Sequence, residues 1–151
     1  MKQWFLLFFR RALQVLDILK KNDVKATFFV VGENVEWNRD ILKRQYEEGH
    51  EIGNHTFTHI NVSKRGYDDI YKEINKTQQL IKDIIGQEPK IFRPPYRAIS
   101  RAMCNIVKEN DMNIVLWSNL DPRDWSNPGT NYIVDTITSK VKNGTIILLH
   151  D

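Results

Sequence analysis

Ala26-Thr27-Phe28-Phe29-Val30-Val31-Gly32 decides how the rest of the chain is read. The run is almost wholly apolar, rich in β-branched and aromatic side chains, and closed by glycine. That is the pattern of a short strand buried on both faces, as in parallel sheets. Toward the C-terminus, residues 34–48 are mostly polar with Val35, Ile41, Leu42 and Tyr46 interspersed, and they stop at Gly49. This predicts a surface helix with a glycine C-cap. Residues 51–53 predict a second short strand. Residues 67–85 carry Ile70, Ile74, Leu80, Ile81, Ile84 and Ile85 at helical spacing and end at Gly86. Residues 90–93 predict a strand running into Pro94 and Pro95. Residues 100–110 predict a helix with Ser100 as N-cap. A strand over 113–117, a helix over 130–141 and a fifth buried strand over 145–149 complete the series. On the N-terminal side, 11–22 carries Leu13, Leu16, Ile18 and Leu19 near helical spacing. One helix, then five strands separated by four helices, predicts an α/β fold with a parallel sheet. A closed eight-stranded barrel needs more elements, so the expectation is a partial or distorted (β/α) barrel.

The 151 residues suffice for one core, and 1–151 is expected to form a single domain. With 41% hydrophobic and 27% charged residues, a disordered or fibrous chain is excluded. Cys104 is the single cysteine, which excludes an intrachain disulfide. The net charge is +3, and the basic residues are scattered among acids without a like-charge run, so no nucleic-acid partner is expected. The apolar run from Trp4 to Phe9 is short of a signal-peptide core (roughly 7–15 residues) and of a membrane span (about 20). No membrane span is expected, and the run is read as a buried strand leading into the first helix.

Polar residues cluster just after the predicted strands, where α/β folds place ligands. After the second strand come His55 and His59, four apart. On a helical turn they would face the same way, and neutral imidazoles suit zinc and similar divalent metals. His50, at a helix–strand junction, reads as structural. After the third strand, Arg93-Pro94-Pro95-Tyr96 is a stiff loop whose first backbone N–H after the prolines belongs to Tyr96, a candidate oxyanion donor. After the fourth come Asp121, Asp124 and Trp125, which suit either an orienting acid or turn chemistry. After the fifth comes His150, a candidate general acid.

The stretches ATFFVVG at 26–32, GHEIGNHTFTH at 49–59, RPPY at 93–96, DPRDW at 121–125 and LLHD at 148–151 together resemble the polysaccharide deacetylase family, carbohydrate esterase family 4. The resemblance runs from about Leu13 to Asp151. It implies a distorted (β/α) barrel, here incomplete at both ends. It implies a hydrolase that removes acetyl groups from chitin, peptidoglycan or related polymers. It also implies one divalent metal, zinc first, held by Asp, His and His. Carried over by motif, His55 and His59 are metal ligands, and Arg93 orients the catalytic aspartate. The Tyr96 N–H stabilises the oxyanion. Asp121 tunes His150, the general acid. Trp125 and Leu148 wall the acetyl pocket. The implied partner is an acetylated polysaccharide or oligosaccharide.

One part of the family pattern is missing. Its first motif carries an Asp base and an Asp metal ligand, and the corresponding stretch near residues 2–10 holds no acid. The first acidic residue is Asp17. The resemblance therefore implies a site with two named ligands, an Arg93 without its carboxylate partner, and little or no deacetylase activity. The alternative from a different class is a non-catalytic pseudo-enzyme that binds glycan through Trp125, Tyr96 and Trp117.

Overall fold

The computed structural model describes residues 2–118 and 120–150, with side chains from Arg11 onward. Asp151 of the LLHD stretch and the side chains of the run from Trp4 to Phe9 lie outside the described residues. The chain divides into two compact units, Met1–Val115 and Leu116–Asp151.

The first unit begins with helix α1 (Lys2–Lys21). The sequence predicts a strand over its first turns, but the helix is continuous. No glycine or proline occurs before Gly32, and Leu, Gln, Arg, Ala and Lys are all good helix formers. Lys20 and Lys21 in the last turn complement the helix dipole. Ala12 and Leu16 are buried against Ile41. Strand β1 (Thr27–Val30) follows, then α2 (Gly32–Trp37) and α3 (Arg39–Glu47). The helix expected over 34–48 is thus two helices. Asn38 breaks it with non-helical φ −135 and ψ 45, while its side chain returns to the Asn34 carbonyl at 2.7 Å. Gly49 at φ 79 closes α3 as expected.

Strand β2 (Glu51–Asn54), helix α4 (Tyr67–Ile85), strand β3 (Ile91–Phe92), helix α5 (Arg101–Glu109) and strand β4 (Asn113–Ile114) complete this unit. Gly86 caps α4 in the left-handed region, and Ser100 caps α5 by accepting from the Met103 N–H. The described strands form one parallel sheet in the order β1-β2-β3-β4. The register sets Val30 beside Asn54, Asn54 beside Phe92, and Phe92 beside Ile114. The strands therefore end in one row, and His55 and Arg93, the next residues on, leave the sheet along the same rim. Helix α4 organises the core. Ile70 and Ile74 pack with Phe92, Met103, Ile106 and Val107, while Ile81 packs with Val35, Leu42 and Ile52. β1 is only half-buried, at one edge of the sheet.

The second unit holds a 3-10 turn (Asp124–Ser126), helix α6 (Thr130–Thr138) and an extended tail. Residues 145–149 do not form the expected fifth strand. Ser118 N–H donates to the Ile146 carbonyl at 3.1 Å, and Ile146 N–H donates to Ser118 Oγ rather than to backbone. The apolar run misled because it implies cover on both faces. In this unit α6 buries no residue, and Ile146 and Leu149 are exposed. No helix among the described residues is long and apolar enough to cross a membrane.

His50 is structural, as its position suggested. It is buried, stands edge-on to Phe28, and accepts the Ala26 N–H at Nδ1 across 3.2 Å. Acceptance at Nδ1 requires the uncharged ring. Burial, and then the Lys25 charge, hold its pKa below the ordinary 6.5, with Glu48 acting the other way. Unfolded His50 takes up a proton near that ordinary value and the folded ring does not. Its contribution to stability is therefore fully present above about pH 6.5 and declines as pH falls toward the lowered folded value. The depressed carboxyls of Glu48 and Glu88 act only below their ordinary 4.5. Urea unfolding midpoints are expected to fall between about pH 6.5 and about pH 5, and His50→Gln is expected to flatten that decline.

Candidate active site

The rim is built outward from Asn54, the last residue of β2, which is fully buried. Its Nδ2 donates to the Ile74 carbonyl at 2.9 Å and to Gln78 Oε1 at 3.1 Å. Its Oδ1 accepts the Thr56 N–H at 3.0 Å. Gln78 in turn donates to the Pro89 carbonyl at 2.8 Å. The ladder runs one residue past the strands: His55 N–H donates to Val30, Arg93 N–H to Asn54 and Val115 N–H to Phe92. Both His55 and Arg93 therefore leave the sheet with fixed backbones.

Residues 55–59 are a loop, not the helical turn that the four-residue spacing suggested. Thr56 at φ 65 and His59 at φ 58 both lie in the left-handed region. The loop closes on the start of α2, where Gly32 and Glu33 N–H groups donate to the Thr56 and Phe57 carbonyls at 3.0 and 2.9 Å. Gly32 permits this approach. A Cβ there would lie 2.7 Å from Thr77 Oγ1 and closer still to the Phe57 ring. The loop still brings the two imidazoles together, with centroids 4.9 Å apart and planes at 66°.

The hydrogen bonds of the rings bear on metal binding. His55 Nδ1 lies 2.6 Å from the Arg93 carbonyl. A carbonyl only accepts, so Nδ1 carries the proton and the lone pair sits on Nε2. His59 Nδ1 lies 3.2 Å from the Tyr96 hydroxyl, with the rings edge-on at 4.8 Å. A hydroxyl can take either part in that bond, and a metal on Nε2 selects the arrangement in which Nδ1–H donates. Ligating histidines are typically oriented through their other nitrogen in this way. The pair fits a divalent metal as two of its ligands. Among the described residues no group of three His, Cys, Asp or Glu side chains could hold one.

Arg93 is buried and its guanidinium lies 3.9 Å over the Phe29 ring, with Nε donating to the Val115 carbonyl at 3.3 Å. The expectation of an Arg93 stranded without a carboxylate is corrected by this aromatic and carbonyl cradle. Gly53 makes room for it, since a Cβ there would lie 2.5 Å from the Phe29 ring. Burial lowers the Arg93 pKa from its usual value. Tyr96 and Arg97 sit at φ 58 and 57 in the turn after the two prolines. Among the described residues the Tyr96 N–H donates to no acceptor. Non-glycine residues in this region are uncommon, and they concentrate at functional loops.

In the second unit His150 pairs with Asp124, not Asp121. Asp124 Oδ1 lies 2.9 Å from His150 Nδ1, and Oδ2 accepts the His150 N–H. Asp121 instead accepts the Arg123 N–H at 2.8 Å and closes a local turn. His150 is exposed rather than at the end of a buried strand, Trp125 is 65% exposed, and Leu148 is buried.

A family model described as polysaccharide deacetylase matches residues 10–115. A peptidoglycan-N-acetylglucosamine deacetylase of Bacillus cereus is 40% identical over 139 residues, covering 91% of this chain and 65% of that protein. The chain thus spans about two thirds of that relative. The solved structure of the peptidoglycan deacetylase PdaC from Bacillus subtilis superposes with a TM-score of 0.86 at 36% identity, covering 93% of this chain and 67% of the other. A CE4 family pseudoenzyme from Bacillus anthracis superposes with a TM-score of 0.89 at 31% identity, covering 95% and 50%.

Asn54, Gln78 and Glu73 support the rim without standing out in the sequence. The available signal is Thr77-Gln78 on the apolar face of α4, where a polar side chain must find a buried partner. Asn54→Ala would leave the Thr56 N–H, the Ile74 carbonyl and Gln78 Oε1 each short of a partner. Each buried group left so costs about 1–3 kcal/mol. A loss of about 3 kcal/mol or more is expected by urea denaturation.

Proposed function

Because this chain belongs to the polysaccharide deacetylase family, we propose that it is a metal-dependent deacetylase-type domain directed at N-acetyl groups of peptidoglycan- or chitin-type amino sugars, strongly impaired in catalysis as its residues stand. The observation that carries this reading is the His55–His59 pair, two imidazoles 4.9 Å apart, with His55 held in the ligating tautomer. A divalent metal held by the two Nε2 atoms, zinc first, would supply Lewis acidity toward the acetyl carbonyl.

The chain's own residues take the other parts. The Tyr96 N–H donates to the carbonyl oxygen as negative charge develops there. Phe29 and the Val115 carbonyl hold the Arg93 guanidinium at the rim as a fixed positive charge. His150 gives a proton to the departing amine nitrogen, and the Asp124 carboxylate on Nδ1 orients the ring. Trp125 and Leu148 contact the acetyl-bearing sugar. Asp121 shapes the turn that carries Asp124.

The proposed impairment rests on the stretch near residues 2–10, where the family's first motif is expected and no acid stands. Catalytic zinc sites usually keep three protein ligands, and a general base is worth about 10²–10⁴ in rate. The first acid in the given sequence, Asp17, is engaged by Arg44 of α3 at 2.6 Å. The similarity to a pseudoenzyme favours a second reading, in which the domain binds glycan without cleaving it, with the exposed rings of Trp125 and Tyr96 as stacking surfaces.

Zinc calorimetry on the chain and on a His55→Ala/His59→Ala double variant tests the metal reading. One-to-one binding lost in the variant is expected, and binding unchanged in the variant would overturn it. Acetate release from acetylated glycan is expected at least ~100-fold below that of the Bacillus cereus relative. A comparable rate would overturn the impairment. Glycan binding that persists undiminished in chelator favours the pseudo-enzyme.

A further inference from the structure

We propose that Glu73 is a positioning residue whose carboxylate clamps the 55–59 loop and thereby sets the distance between the His55 and His59 imidazoles. The proposal rests on the reading of that pair as metal ligands.

Glu73 lies on α4, remote in sequence from the loop, and is half-buried. One carboxylate makes three bonds to the loop. Oε2 accepts the Phe57 N–H at 2.9 Å and the Thr58 N–H at 2.7 Å, and Oε1 accepts the Thr58 hydroxyl at 2.8 Å. Two successive backbone N–H groups converge on one oxygen only where the chain turns tightly, and such a pair selects an anion. Bonds to a charged acceptor are also the stronger kind.

The helix end of the clamp is rigid. Ile70 and Ile74, on either side of Glu73, are fully buried, and Thr77 Oγ1 donates to the Glu73 carbonyl at 3.0 Å. Lys76, on the same helix, lies 3.4 Å over the Phe57 ring and adds a second contact to the loop. The loop end needs such a clamp. Thr58 directly precedes His59, whose φ of 58 is unfavourable for a residue with a Cβ. With Thr58 held by both N–H and hydroxyl, His59 has little freedom to relax to an ordinary conformation. Without the clamp its ring is expected to swing away from His55. Glutamine in the same place keeps one oxygen for the two N–H groups and can donate to the Thr58 hydroxyl, so it removes the charge but not the contacts, whereas alanine removes all three bonds.

The test is Glu73→Ala on the whole chain, with zinc calorimetry and cobalt(II) absorption spectra at a temperature where both proteins are folded. Outer-shell changes typically cost 10–100-fold in metal affinity. A loss of at least about tenfold with an altered cobalt spectrum is expected. Wild-type affinity in a folded Glu73→Ala protein would overturn the proposal, since a purely structural role lowers the melting temperature alone. If Glu73→Ala does not fold, Thr58→Val removes one of the three bonds. A measurable loss of zinc affinity there supports the clamp, and none overturns it. If the wild-type chain does not bind zinc, the metal reading fails by itself. The clamp is then judged by NMR in the same variants, from amide exchange at Thr58 and the HN–Hα coupling of His59, which reports φ. Faster exchange and a changed coupling support it, and wild-type values overturn it.

Discussion

A carboxamide sealed from water must find all its partners inside the protein, and Asn54 meets that demand at the point where the sheet becomes the rim. Its amide nitrogen binds α4 at two places, its side-chain oxygen starts the 55–59 loop, and its backbone carbonyl receives the Arg93 N–H. One residue therefore fixes the end of β2, the exit direction of His55 and the register of β3. A carbon side chain of similar size could fill the space but could not set those three directions.

The rim stores unfavourable backbone. Thr56, His59, Tyr96 and Arg97 all lie in the left-handed region, each at a cost of about 1–3 kcal/mol. Such conformations persist only where the surroundings over-determine them. Here the surroundings are two apolar clusters sharing α4, one reaching β3 and α5 and the other β2 and the helix pair before it. The helix shared by both clusters also supplies the polar groups that hold the loop. Packing energy and loop geometry thus enter through the same element, which ties the shape of the rim to the integrity of the core.

Much of this was legible in the sequence because the signals were local and strong. The isoleucines of 67–85 gave a helix with the bounds observed, and Ser100, Gly49 and Gly86 mark real ends. The five ordered motifs implied the family, and both proposed metal ligands fall on one loop. The failures arose where a short pattern has two physical readings. An apolar run such as Trp4 to Phe9 or 145–149 does not say whether a sheet partner exists, and here the first lies within a helix and the second makes no strand ladder among the described residues. A four-residue spacing brings side chains together on a helix, but two left-handed residues in a loop do so as well. Asp121 and Asp124 are equivalent on paper. Only the fold reveals that Asp121 spends its carboxylate on a turn and Asp124 spends its own on His150.

These contacts also separate the scaffold of the rim from its chemistry. The bonds described for His55, His59, Arg93 and Tyr96 run to residues between Phe29 and Val115. From Arg11 onward, helix α1 packs through Ala12 and Leu16 onto Ile41 and pairs through Asp17 with Arg44. Arg93 makes the point most directly. A guanidinium that depended on a carboxylate for its place would be a buried, uncompensated charge without one. Stacked on Phe29 and bonded to the Val115 carbonyl, it has two uncharged contacts that hold its flat face and one N–H edge at the rim. Solved deacetylases and a pseudoenzyme share the fold that builds this rim.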